Sequence, residues 1–239
     1  MSYRRLLLKL SGEALAGGDD FGIREDVLAH VVSEISAVLD GGFELGLVIG
    51  GGNIFRGKEM AAGSMDRVAA DHMGMLATCM NALALENAFK TAGMGAQVFS
   101  GLAIPGVVED FDFRRARACL QDGSVAIFSA GTGNPYFTTD TAAVLRALEV
   151  EADCVVKGTK VDGVYDADPQ KDPSARKYDV LSYSTVLADN LGVMDATAIA
   201  LCRENNLPLH VYDMVQKGAL LSLARQQKVG TLVNDSGSA

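Results

Sequence analysis

Val125-Ala-Ile-Phe-Ser-Ala-Gly-Thr-Gly-Asn-Pro-Tyr-Phe-Thr-Thr-Asp140 joins a short apolar run to a glycine-rich loop and then to the start of a helical pattern. An apolar run without polar alternation is what a strand buried on both faces requires, so this unit predicts a parallel sheet covered by helices on each side. Gly131 to Pro135 can expose backbone N–H groups that no side chain crowds. Thr138 and Thr139 add hydroxyls and the unpaired N–H groups of a helix start, where the helix dipole favours negative charge. Taken alone, the loop fits two readings: a phosphate cradle, or a βα turn closed by an Asx or Thr cap.

The same alternation runs outward in both directions. Apolar runs at 5–10, 45–49, 96–100, 125–129, 153–157, 209–212 and 231–233 predict strands. Helical patterns fit 24–40, 65–91, 113–120, 142–148, 184–190, 195–205 and 218–226, with Gly41-Gly42 stopping the first and Ser64 capping the second. The expected fold is a three-layer α-β-α sandwich with a mainly parallel central sheet. Two lobes, 1–152 and 153–239, are expected to share that one sheet. Residues 158–178 form a turn-rich excursion, long enough to be functional, and 234–239 are expected to be disordered.

A chain of 239 residues buries a sizeable core without staples. Its four cysteines are widely spaced, with no C-x-x-C pair and no metal-ligand spacing, and read as free thiols of a reducing compartment. A net charge of −9 argues against nucleic acid polymers as partners while leaving room for small anions in local cradles. Arg4-Arg5, Leu6-Leu7-Leu8 and Ala14-Leu15-Ala16 imitate a secretory signal, but Lys9 and Glu13 interrupt an apolar stretch that is too short. With no segment of membrane-spanning length, the expectation is a cytoplasmic protein.

Three glycine-rich loops follow three apolar strands, at Ser11-Gly12, Gly50–Asn53 and Gly131–Asn134, and ligands of open α/β sheets gather beyond the carboxyl ends of strands. Gly52-Asn-Ile-Phe-Arg-Gly-Lys58 has P-loop spacing, but Glu59 stands where a Ser or Thr hydroxyl is needed. Gly50–Gly52 read instead as a backbone cradle, with Arg56 as a guanidinium clamp or a surface ion pair. Lys9, expected near the sheet edge, needs a negative partner, either a phosphate or a carboxylate. Asp140 caps the following helix or holds Lys9. Asp71 lies on a solvated face or accepts ribose hydroxyls, and Thr159, Tyr165 and Asp168 belong to a plain turn or hold a base.

These pieces in this order resemble the amino acid kinase family, within it the bacterial UMP kinase branch. The matching stretches are Leu8-Lys-Leu-Ser-Gly-Glu-Ala14, Val48-Ile-Gly-Gly-Gly-Asn-Ile-Phe-Arg-Gly57, Asp71-His-Met-Gly-Met-Leu-Ala-Thr78, Ala130 to Asp140, and Thr159-Lys-Val-Asp-Gly-Val-Tyr-Asp-Ala-Asp-Pro169. The resemblance implies ATP-dependent phosphorylation of UMP to UDP in pyrimidine nucleotide biosynthesis. It implies an ATP side of Lys9, Leu10, Ser11, Gly12, Gly52, Arg56, Thr159, Tyr165 and Asp168. The UMP side it implies is Gly51, Asp71, Thr132, Gly133, Asn134, Pro135, Tyr136, Phe137, Thr138 and Thr139. Lys9, Arg56 and Asp140 are the expected catalytic residues.

The resemblance also implies Mg²⁺ carried with ATP on phosphate oxygens and waters, with no protein ligand cluster for a metal, and a homohexamer. It suggests GTP and UTP effectors, with Gly17–Gly22 as a responsive loop, although Lys90 is the only basic side chain between Arg67 and Arg114. Acylphosphate-forming relatives place a second lysine in the segment matching Val193-Met194-Asp195. Here Asp195 reverses that charge, and it binds metal, orients the site or caps its helix, while compensation by Lys157 is open. A non-catalytic storage protein on the same scaffold, like the molybdate/tungstate storage proteins, is the rival from another class. The joint presence of Lys9, Arg56, Asp71 and Asp140 disfavours it.

Overall fold

Six consecutive buried residues in β1 (Arg5–Leu10) and six in β2 (Glu44–Ile49) leave neither strand a solvated face, so the sheet carries helices on both sides. The computed structural model describes residues 3–55, 65–169 and 171–235. After β1 come α1 (Gly12–Leu15) and α2 (Glu25–Asp40), and after β2 come α3 (Arg67–Thr91), β3 (Ala96–Ser100), β4 (Glu109–Asp110) and α4 (Phe113–Gln121). β5 (Val125–Ser129), α5 (Thr139–Glu149) and β6 (Cys154–Thr159) follow. The last part holds β7 (Val164–Tyr165), β8 (Lys177–Tyr178), β9 (Val180–Leu181), α6 (Tyr183–Ala188), α7 (Ala196–Glu204), β10 (Leu209–Asp213), α8 (Ala219–Ala224) and β11 (Thr231–Val233).

One nine-stranded sheet runs β4-β3-β5-β2-β1-β6-β10-β11-β9, and every neighbouring pair in it is parallel except β10 with β11. Side chains alternate across it. Leu6, Leu8 and Leu10 pack with Ile35 of α2, Leu85 and Phe89 of α3 and Leu220 of α8. Leu7 packs with Ala116 of α4, Ala143 and Ala147 of α5, Val186 of α6 and Ile199 of α7. The result is the expected three-layer α-β-α sandwich. Lys9 shares the parity of Leu7 and therefore faces the α5 layer.

Several expectations shift. Lys9 is not near a sheet edge: β1 is hydrogen-bonded to β2 on one side and β6 on the other, and Lys9 lies near its carboxyl end, where the parallel strands open onto their loops. Ser64 lies outside the described residues. The cap of α3 is Asp66, whose carboxylate accepts the Ala69 N–H at 3.0 Å. α5 starts at Thr139, earlier than the apolar pattern suggests, because Thr138 caps it. The turn-rich excursion carries a β7–β8 ribbon, with Val164 opposite Tyr178 and Tyr165 opposite Lys177. Asn234 and Asp235, expected in a disordered tail, are tied down: Asn234 donates its N–H to Leu181 and Asp235 accepts that of Tyr183.

Candidate active site

Lys9 on β1 and Lys157 on β6 are register partners on adjacent strands and point to the same face. Two ammonium groups side by side repel, and the start of α5 supplies what separates them. Asp140 Oδ1 lies 2.7 Å from Lys9 Nζ and Asp140 Oδ2 lies 3.0 Å from Lys157 Nζ. Lys157 also donates to the Val193 carbonyl. Burial alone would raise the Asp140 pKa, but the two lysines outweigh it and hold the carboxyl below its usual range. Burial, aided by the Lys9 charge, lowers the Lys157 pKa against the pull of Asp140. The cluster is two cations to one anion, so a phosphate that meets it completes the charge balance.

Asp140 does not cap α5. Thr138 does, its hydroxyl accepting the N–H groups of Asp140 at 3.1 Å and Thr141 at 3.4 Å. Thr138 and Thr141 in turn donate their hydroxyls to Asp195, whose carboxylate also accepts the Ala198 N–H at 2.9 Å and so caps α7. Asp195 thus ties the start of α5 to the start of α7. This tie, like Lys157, joins positions far apart in sequence, and only the strand order and the helix packing bring them together.

The first two glycine loops converge. A Cβ on Gly12 would lie 2.6 Å from Gly52 N and 2.7 Å from Gly50 O, and one on Gly51 would lie 2.9 Å from Gly74 O. Backbones approach here as only glycine allows. The Gly50–Asn53 loop is then locked to α3 by a buried amide pair. Asn81 Nδ2 donates to Asn53 Oδ1 at 2.7 Å and to Gly50 O at 2.7 Å, while Asn53 Nδ2 donates to Asn81 Oδ1 at 3.0 Å.

Across a cleft of about 220 Å³ stands the third loop. Gly51 and Gly52, Asp71 and Gly74 of α3, and Thr132, Phe137, Thr138 and Thr139 all line it. Gly133, Asn134, Pro135 and Tyr136 continue the loop and are not among the lining residues. The Ala130 N–H is accepted by the Thr78 hydroxyl at 2.7 Å, and Tyr136 donates its N–H to Asp71 Oδ2 at 2.7 Å. Asp71 is also gripped by Arg67, a residue that sequence reasoning passes over because an i,i+4 Arg–Asp pair looks like ordinary helix-surface chemistry.

The model of the amino acid kinase family matches residues 4–213. The chain belongs to the amino acid kinase family. Within the amino acid kinase family, a uridylate kinase of Stutzerimonas stutzeri is 54% identical over 234 residues, covering 98% of this chain and 95% of the relative. One from Alcanivorax borkumensis is 55% identical over 231 residues, covering 97% and 92%. The crystal structure of a UMP kinase from Bacillus anthracis superposes with a TM-score of 0.95 at 37% identity, covering 99% of this chain and 98% of that one.

Of the residues that the amino acid kinase family implies for the site, Leu10 closes β1, and Ser11 and Gly12 open α1 beside Gly50 and Gly52. Thr159 ends β6 two residues beyond Lys157, its hydroxyl turned back onto the Val161 carbonyl at 2.6 Å. Tyr165 lies further out on β7 and donates its hydroxyl to Asp162 at 2.6 Å, while Asp168 pairs with Lys171 at 3.2 Å. Arg56, with the decoy Lys58 and Glu59, lies outside the described residues. No group of three or more His, Cys, Asp or Glu among the described residues could hold a metal ion.

Proposed function

We propose that this chain transfers the γ-phosphoryl group of ATP to the phosphate of UMP, giving UDP and ADP. The observation that carries this reading is the Lys9–Asp140–Lys157 cluster at the carboxyl ends of β1 and β6, beside the glycine loops. Phosphoryl transfer asks for in-line placement and neutralisation of spreading charge rather than a covalent intermediate. The UMP phosphate is already an anionic nucleophile, so no strong base is required. Lys9, Lys157 and Arg56 meet the moving group, and Asp140 keeps the two strand lysines together without neutralising both.

Residues 1–152 form the UMP lobe and 153–239 the ATP lobe. On the UMP side stand Gly51, Asp71 and the Thr132–Thr139 loop. On the ATP side stand Lys9 to Gly12, Gly52, Thr159, Tyr165 and Asp168. Among the described residues, Asp140 is engaged by two lysines, Asp195 by two threonines and a backbone N–H, and Asp71 by Arg67 and the Tyr136 N–H. Mg²⁺ would come with ATP and would supply charge neutralisation at the phosphates, while Lys9, Lys157 and Arg56 supply the chain's own positive charge.

Oligomer formation is supported by α3. Ala69, Met73, Leu76, Met80 and Leu83 recur at alternating steps of four and three along its outward side, and Met73, Leu76 and Met80 are exposed. That is the seam of a helix that packs on another helix, and a second copy of α3 fits it as the first contact of a homohexamer. A cytoplasmic site of action is supported by four buried free cysteines. No helix among the described residues is long and apolar enough to cross a membrane. Effector response to GTP or UTP would travel through Gly17–Gly22, since Gly22 exchanges hydrogen bonds with Asn53 of the second glycine loop.

ADP release measured against UMP, CMP, carbamate and small carboxylates, each with Mg²⁺ and ATP, tests the activity. UMP-dependent turnover is expected. Turnover on the carboxylate or carbamate acceptors with none on UMP, or none on any acceptor, would overturn the reading.

A further inference from the structure

The geometry points to Arg67 as a positioning residue that holds the Asp71 carboxylate in place for the ribose hydroxyls of the acceptor, which rests on the reading of UMP as that acceptor. Arg67 Nε lies 2.9 Å from Asp71 Oδ1 and 2.8 Å from Asp71 Oδ2, and Tyr136 N–H adds a third bond to Oδ2 at 2.7 Å. A carboxylate offers about four acceptor positions, so one remains, on Oδ1. That position suits a hydroxyl donor, and Arg67 and Asp71 both line the cleft.

Two further observations separate this pair from an ordinary helix-surface bridge. Tyr136 sits in the left-handed region at φ 72°, which a bulky side chain rarely adopts, and there its N–H meets Asp71 at 2.7 Å and its ring centroid lies 5.3 Å from the Arg67 guanidinium. Asp71 is only 16% exposed, so solvent reaches little of its carboxylate and its partners are mostly protein groups. One guanidinium therefore meets both the Asp71 carboxylate and the ring of Tyr136, at the outer end of the 130–138 loop. A lysine keeps the charge but loses the planar Nε donor and the flat stacking face.

The pattern predicts a penalty on binding rather than on chemistry, and one that is felt only by an acceptor with ribose hydroxyls. Steady-state kinetics of the full chain, of Arg67→Ala and of Arg67→Lys, with UMP and 2′,3′-dideoxy-UMP at saturating ATP and Mg²⁺, provide the test. In the unaltered chain the dideoxy acceptor should show a KM raised about tenfold, the cost of a carboxylate left without its hydroxyl donor. In Arg67→Ala the KM for UMP should rise about tenfold with kcat within about twofold, so that the ratio between the two acceptors falls towards one. Arg67→Lys should fall between. An unchanged KM for ATP reports that the variants are folded.

Equal KM increases for both acceptors would assign Arg67 to charge attraction or to packing and overturn the inference. So would a loss of kcat at constant KM. Absence of UMP turnover in the unaltered chain would instead overturn the proposed function, a failure visible before any variant is made.

Discussion

Behind the Thr138–Thr139 wall of the cleft, and not among its lining residues, Lys9, Lys157 and Asp140 form an inner cluster on two paired strands and a helix start, with side chains 8%, 17% and 15% exposed. At the outer rim, Arg67, Asp71 and Tyr136 join a helix to a loop, and the tyrosine is 66% exposed. The inner groups are placed by the sheet register, which cannot shift by less than a residue. The rim groups are placed by one another. Rigid, desolvated charge is what a transition state rewards, whereas mutually supported polar contacts serve to seat a substrate. The two ends should therefore fail differently, the inner end in kcat and the rim in KM.

The largest expected effect is Lys9→Ala, which should lower kcat by about 10²–10³-fold, as removal of a preorganised donor does, with KM for UMP much less affected. Near-normal turnover at saturating substrates would break the distinction between the two ends. Asp140→Asn comes next. It leaves two buried ammonium groups without a counter-charge, so it should cost about 3 kcal/mol in denaturant unfolding and lower kcat more than UMP affinity. Asp140 also has a pH signature. Its folded pKa is held below the ordinary 3.8, so its contribution is fully present above that value and is lost as the pH falls below it. The acid limb of the stability curve should be shallower in Asp140→Asn than in the unaltered chain.

Asp195→Ala tests the join between the ends, because Asp195 holds the Thr138 and Thr141 hydroxyls and caps α7 at once. Loss of the carboxylate should reduce kcat/KM about tenfold, and Asp195→Asn, which keeps one acceptor oxygen, should lose less. Equal losses would mean that its charge rather than its hydrogen bonds matters.

The uneven legibility of the sequence follows the same division. Strands and layers can be read because burial on both faces leaves continuous apolar runs, and the three loops because their glycines and helix starts are local signals. Lys9 could be flagged as needing a negative partner, yet its place in the middle of the sheet could not, since strand order is not written in any local pattern. The Lys9–Lys157 register, the Asn53–Asn81 amide pair and the Asp195 tie all depend on that order or on helix packing. Strands of two residues, such as β4 and β9, are too short to show a period. Arg67 was hidden for the opposite reason, because its signal is local but indistinguishable from a common surface pair.

The smallest effect should come from Tyr136→Gly, and its smallness is the informative part. Glycine relieves the left-handed strain, worth about 1–2 kcal/mol. Against this stand the lost contact with Arg67, about 0.5–1 kcal/mol at an exposed site, and the greater chain entropy of glycine when unfolded, about 0.5–1 kcal/mol. The terms nearly cancel, leaving at most about 1 kcal/mol, so thermal unfolding should move by no more than about 4 °C for a chain of this size. KM for UMP should nevertheless rise several-fold, because the loop that carries the Tyr136 N–H is no longer fixed against Asp71. A stability change without a KM change would make Tyr136 a strained turn with no part in seating the acceptor, and the rim would then rest on Arg67 and Asp71 alone.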